Sequence, residues 1–145
     1  MAALRDPHNL QRFVEAQRDE YNVALREVRR GHKDSHWIWY IFPQLFGLGQ
    51  SPMSQKFGIR GVAEAGEYLA HPVLGARLRD IAQAVLDLPA RSAREVFDGD
   101  AVKLRSSATL FAQVTEPGSV FHQLLDRYFA GEPDPRTLEL IAATK

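Results

Sequence analysis

Residues Trp37 to Phe42 read WIWYIF, six large apolar side chains in a row that the folded chain has to bury. The stretch around them, Gly31 to Ser54, reads GHKDSHWIWYIFPQLFGLGQSPMS and carries both tryptophans and two of the five histidines. Polar residues crowd both ends of the apolar run. Its aromatic and β-branched content gives it strand propensity, and a short all-apolar run cannot be typed by periodicity alone. No other stretch offers a convincing partner strand. The run is therefore read as a buried helix, capped by Asp34 or Ser35 and ended at Pro43, which pushes the residue before it out of the α region.

Helix signals recur along the rest of the chain. Asp6-Pro7 is a cap followed by a first-turn proline, and Leu10, Phe13, Val14, Tyr21, Ala24, Leu25 and Val28 follow at helical spacing, with a charged break at 18–20. Arg29-Arg30-Gly31 makes a C-terminus, with cations at the negative end of the helix dipole and glycine for the left-handed cap. Ser51-Pro52 starts a short helix closed by Gly58, and Val62 to Ala70 makes another, stopped at His71-Pro72. From Pro72 to about Leu88 an apolar stripe runs through Leu74, Leu78, Ile81, Val85 and Leu88. Ser92 and Glu95 form a capping box for a helix to Phe97. Asp100 caps a helix to about Thr115, Ser119 caps one ended by Gly131, and Asp134-Pro135 starts the last. These signals predict an all-α fold, a compact multihelical single domain spanning 1–145 with its ordered core at about 7–141. About eight to ten short helices would surround buried central helices.

Composition narrows the function classes. The 18 basic and 18 acidic residues cancel, so no global charge favours nucleic acid or an anionic membrane. With no cysteine there is no disulfide, thiolate metal site or cysteine nucleophile. The N-terminal MAALRDPHNLQRF lacks the apolar core of an export signal, and no apolar run approaches the roughly 20 residues a membrane span needs. The expected location is the cytoplasm. Glycine-rich phosphate loops, GxGxxG and HExxH are absent from the chain, and no cofactor is expected.

Some polar residues do not fit a plain core. On a helical projection of 101–115, Leu104, Ala108, Leu110, Phe111, Ala112 and Val114 form an apolar arc, and Lys103 and Ser107 point into it. Arg105, Ser106, Thr109 and Gln113 lie opposite. A buried lysine needs a counter-charge, a ligand or an escape to solvent. Lys103 also sits in the first helical turn, against the dipole, where a bound anion would relieve both penalties. The competing reading is that it snorkels and pairs with Asp98 or Asp100. With Arg105, Ser106 and Ser107 it makes the string KLRSS, suited to a carboxylate or phosphate. On the other side, Trp37 or Trp39 could wall a flat ligand while His36 and Gln44 read its polar edge. His32 and His36 stand four apart, but the helix start falls between them and the ligand count is short, so no metal site is expected.

The strings KDSHWIWYIFPQLFGLGQSPMS, YLAHPVLGARL, VKLRSSATLFAQV and FAGEPDPRTLELI resemble a bacterial domain-of-unknown-function family of small multihelical proteins, often mislabelled calpastatin. The resemblance runs from about Pro7 to Ile141 and implies a helix for Trp37 to Phe42, but no activity, cofactor or partner. Two functional expectations follow. One is a pocket for a small anionic, phosphate- or nucleotide-like metabolite between the 34–45 segment and the 101–115 helix, formed by His36, Trp37, Trp39, Gln44, Lys103, Arg105, Ser106 and Ser107. The other is a non-catalytic interaction or regulatory module with an exposed apolar face.

Overall fold

The computed structural model describes residues 6–89 and 91–143. Of the stretch read as lacking an export signal, residues 1–5 lie outside these. The described chain forms ten α-helices and one 3-10 turn. They are α1 (Gln11–Gln17), α2 (Tyr21–Arg30), α3 (Ile38–Ile41), α4 (Pro52–Lys56), α5 (Val62–Ala70), α6 (Leu74–Leu86), α7 (Ala93–Phe97), α8 (Ala101–Ala112), α9 (Val120–Phe129) and α10 (Pro135–Ala143), with the 3-10 turn at Asp98–Asp100. The chain is all-helical, as its capping signals predict. Among the described residues no helix is long and apolar enough to cross a membrane.

The caps work as their chemistry dictates. Gly31 takes the left-handed conformation (φ 91°) after Arg29 and Arg30, and its amide returns to the Val28 carbonyl at 2.8 Å. Ser51 accepts from the Ser54 amide with Pro52 in the first turn, and Ser92 and Glu95 close a reciprocal capping box. Asp6-Pro7 does not start a helix as expected: the chain turns through 7–10 and α1 begins only at Gln11 with Leu10 in the N-cap position, the Asp6 carboxylate accepting from the Leu10 and Gln11 amides across that turn. Asp134 takes the Thr137 amide and hydroxyl. Asp100 departs from expectation. It occupies the N-cap position of α8 but makes no side-chain cap bond, because its carboxylate is committed elsewhere.

Helix α8 is the central element, packed against α5, α7, α9 and α10, and α6 is bracketed by α2, α5 and α9. The sequence divides α8 into an apolar and a polar face, yet Ser106 and Thr109 are buried along with Leu110 and Phe111. The polar face is covered by the segment leading into α10. Arg105 donates to the Glu132 and Pro133 carbonyls at 2.9 and 3.0 Å, and the Asp134 amide donates to the Thr109 hydroxyl at 2.8 Å. Short polar side chains can be buried without penalty when every hydrogen bond is met. Ser107 breaks that pattern: its hydroxyl is buried with no partner among the described residues, and nothing in the structure explains it.

The WIWYIF run forms a single helical turn rather than a full helix, with Trp37 at its N-cap position. Neither Asp34 nor Ser35 caps it. Instead the buried carboxylate of Glu27 on α2 gathers the preceding loop, accepting from the Asp34 and Ser35 amides, the Ser35 hydroxyl and the Trp37 indole at 2.5–2.9 Å. Trp37 is thereby held fully buried, edge-on to Phe97 at 6.2 Å. Beyond Pro43 the chain runs parallel to Ile59 for one bridge, with Phe46 donating to the Ile59 carbonyl and Ile59 to that of Gln44. Gly58 permits this approach, since a Cβ there would lie 2.8 Å from the Phe46 backbone.

Burial pushes the Glu27 carboxyl up, but the four hydrogen bonds to its charged form outweigh this and bring it down to about 2 from 4.5. A folded-state value below the unfolded one gives stability that is full above about pH 4.5 and lost as pH falls towards 2. Glu27→Gln is expected to cost roughly 2–4 kcal/mol at neutral pH, because one of the two acceptor oxygens becomes an N–H₂ donor and the remaining bonds lose their charge assistance. Urea melts across pH 2–7 should also show a flatter acid limb in the variant. An unchanged acid limb would remove Glu27 from its role as anchor.

A cavity between the Trp39 segment and helix α8

The loop that Glu27 gathers delivers Lys33 to the head of α8. Lys33 is buried (8% exposed), and its ammonium donates to the Ser35 carbonyl and lies 2.9 Å from Asp100 Oδ2 and 5.1 Å from the Trp37 ring. Lys103 takes the other carboxylate oxygen, Oδ1, at 2.8 Å, and stands over the Trp39 ring at 4.9 Å. Pairing of Lys103 with Asp100 is one of the two alternatives the sequence leaves open. Two ammonium groups thus share one carboxylate, leaving an excess positive charge in a half-buried place. Burial pushes the Asp100 carboxyl up, but hydrogen bonds from Lys103 and Lys33 more than offset it, and it lies below its ordinary value.

Beside this cluster opens a cavity of about 290 Å³, close to the lower bound of roughly 300 Å³ for small-molecule sites. Its apolar wall comes from Trp39, Leu45, Leu48, Met53, Phe57 and Val102, and its polar groups from Gln44, Ser54, Lys103, Ser106, Asp134 and Arg136. Of the eight site residues predicted from the sequence, Trp39, Gln44, Lys103 and Ser106 meet here. The other four do not line it. Trp37 is locked in the core by Glu27, His36 is exposed on the loop, Arg105 is spent on the Glu132 and Pro133 carbonyls, and Ser107 faces the core. Lys33, Asp100, Asp134, Arg136 and the 48–58 wall were not among the predicted site residues. Their only sequence signals are those of caps and loops.

A second ionic bracket closes the turn before α8. Asp98 holds a backbone conformation that L residues rarely adopt (φ 51°, ψ −131°). Its carboxylate meets His32 Nε2 at 2.9 Å, while His32 Nδ1 meets Asp34 at 2.8 Å and Asp34 pairs with Arg30 at 3.0 Å. The hydrogen bond to Asp34, then that to Asp98, raises the His32 pKa above 6.5. Among the described residues no group of three or more His, Asp or Glu is arranged to hold a metal.

A small all-helical protein with a mixed polar and apolar cavity beside its central helix is the class these features define. The chain belongs to the family described as protein of unknown function (DUF1810), which matches residues 7–141. It is similar to the conserved hypothetical protein Rv1873 from Mycobacterium tuberculosis, solved by crystallography at 1.38 Å, with 44% sequence identity and a TM-score of 0.92 over 94% of this chain and 99% of that one. No curated relative matches the chain. The family and the helical fold expected from the sequence are therefore both borne out, and neither description carries an activity.

Two measurements check the ionic framework. Asp100→Asn strands the buried Lys33 ammonium and is expected to cost about 3 kcal/mol or more, against about 1 kcal/mol or less for Lys103→Met, which leaves Lys33 paired. Equal losses in chemical denaturation would show that the two lysines are not divided this way. For His32 the folded pKa is the higher one, so its stabilisation is complete below about pH 6.5 and fades as pH rises through the folded value. His32→Gln should erase that decline in melting temperature as pH rises above about 6.5.

Proposed function

We propose that the protein binds a small anionic metabolite, phosphate- or nucleotide-like, in the cavity between the 34–45 segment and α8. The observation that carries this reading is the meeting of an apolar wall and an excess of cations in one concave place. Trp39 and Gln44 arrive from one segment and Lys103 and Ser106 from another, with Arg136 added at the rim. Lys103 has two donors left after its bond to Asp100, and Arg136 has no ion-pair or hydrogen-bond partner among the described residues. The rival reading, a protein-interaction module, calls for a contiguous exposed apolar face. The exposed large apolar side chains among the described residues are three valines, Val62, Val73 and Val102, each at the start of a different helix.

A thermal-shift screen of AMP, UMP, glucose 6-phosphate and succinate on the wild type, Lys103→Ala and Val102→Trp tests the reading. Val102 is 67% exposed at the cavity, so tryptophan there fills the space without entering the core. A ligand at about 100 times its Kd adds roughly 2.7 kcal/mol, a rise of several degrees. The expected result is a shift in the wild type that both variants lose. A shift that survives in both, or none with any compound, counts against the cavity and turns attention to protein partners.

A further inference from the structure

We infer that the cavity selects a nucleoside monophosphate, with Asp134 as the residue that recognises the hydroxyls of its sugar; this rests on the small-molecule reading above. The argument is an inventory of polar groups around the cavity that the protein itself leaves unanswered. Asp134 is half-buried, and its Oδ2 accepts from the Ser106 hydroxyl at 3.2 Å, the Thr137 amide at 3.1 Å and the Thr137 hydroxyl at 2.5 Å. Its Oδ1 has no partner among the described residues. The half-buried Gln44 side-chain amide and Trp39 indole N–H likewise have none, nor does the Arg136 guanidinium. Arg136 is exposed and none of these atoms is sealed from water, so a ligand in the cavity can reach them, and they ask for chemistry of different kinds.

A plain anion would answer Lys103 and Arg136 but meet the free oxygen of Asp134 with repulsion. The ligand must therefore present donors beside its anionic group, and sugar hydroxyls next to a phosphate do so. Gln44 offers a donor and an acceptor side by side, the pattern that pairs with the edge of a nucleobase. Trp39 is an aromatic platform, with Lys103 already over its ring at 4.9 Å. Phosphate on Lys103 and Arg136, sugar on Asp134, and base on Gln44 and Trp39 use all five. A dicarboxylate leaves Asp134, Gln44 and Trp39 unanswered. A bare sugar phosphate leaves the last two.

Isothermal titration calorimetry of the wild type with AMP and UMP, with their 2′,3′-dideoxy counterparts and with ribose 5-phosphate tests this without any mutation. At least one ribonucleotide should bind, with its dideoxy form and ribose 5-phosphate each about tenfold weaker or more. Asp134→Asn keeps an oxygen for the α10 cap but puts an N–H₂ where Oδ1 stood, so the gap between ribo and dideoxy forms should shrink to within about twofold. Equal binding of ribo and dideoxy nucleotides by the wild type overturns the inference while leaving the cavity reading intact. Tighter binding of ribose 5-phosphate than of either nucleotide does the same. Binding by none of the compounds overturns both. If Asp134→Asn does not fold, the wild-type comparison still decides.

Discussion

Everything on the cavity side of this molecule hangs from one buried carboxylate. Glu27 collects two amides, a hydroxyl and an indole N–H from the loop that follows its own helix, and charged acceptors make the strongest such bonds. That set of bonds does two jobs at once. It turns Trp37 inward, where Phe42 and Phe97 receive it, and it fixes the loop that carries Lys33. Lys33 then holds Asp100, Asp100 holds Lys103, and Lys103 stands at the cavity over Trp39. The chain of contacts is short, and each link is a paired charge, a satisfied hydrogen bond or, at its end, a cation over an aromatic ring.

The cost of this arrangement is visible at the turn between α7 and α8. Asp98 is held in a conformation that ordinarily favours glycine, and Gly99 follows immediately. The tight reversal lets Asp100 reach back to Lys33 instead of capping its own helix. His32 closes the bracket from the other side, so the loop after α2 and the turn before α8 are tied by two ionic contacts, one at Asp98 and one at Asp100. The α8 amides left without a side-chain cap are thereby exchanged for a fixed position of Lys103.

The capping chemistry was legible because it is local. Ser51, Ser92, Ser119 and Asp134 each satisfy an amide three residues on, and Gly31 needs only its own left-handed backbone. The helical character of the WIWYIF run could be argued, but not its reduction to one turn, because the group that satisfies its preceding amides belongs to a different helix. The polar face of α8 was misleading for the same reason. Arg105, Ser106 and Thr109 look solvated on a projection, and only the return of residues 132–137 over them shows that their hydrogen bonds are met within the protein.

Trp37 and Trp39 make the division plain. Two residues apart in one apolar run, they are equivalent in composition and propensity, yet one is sealed in the core and the other lines the cavity. Sequence alone determined the helical class, the caps at Gly31, Ser51, Ser92 and Ser119 and the presence of a lysine that needs a partner, since all of these follow from patterns within one turn or one helix. Tertiary structure decided which tryptophan faces the cavity, which charges pair, and that Asp134 and Arg136 from the far end of the chain stand beside Gln44. Those outcomes depend on contacts between segments up to about ninety residues apart, where pairing of charge and burial of area compete across helices and no local signal records the result.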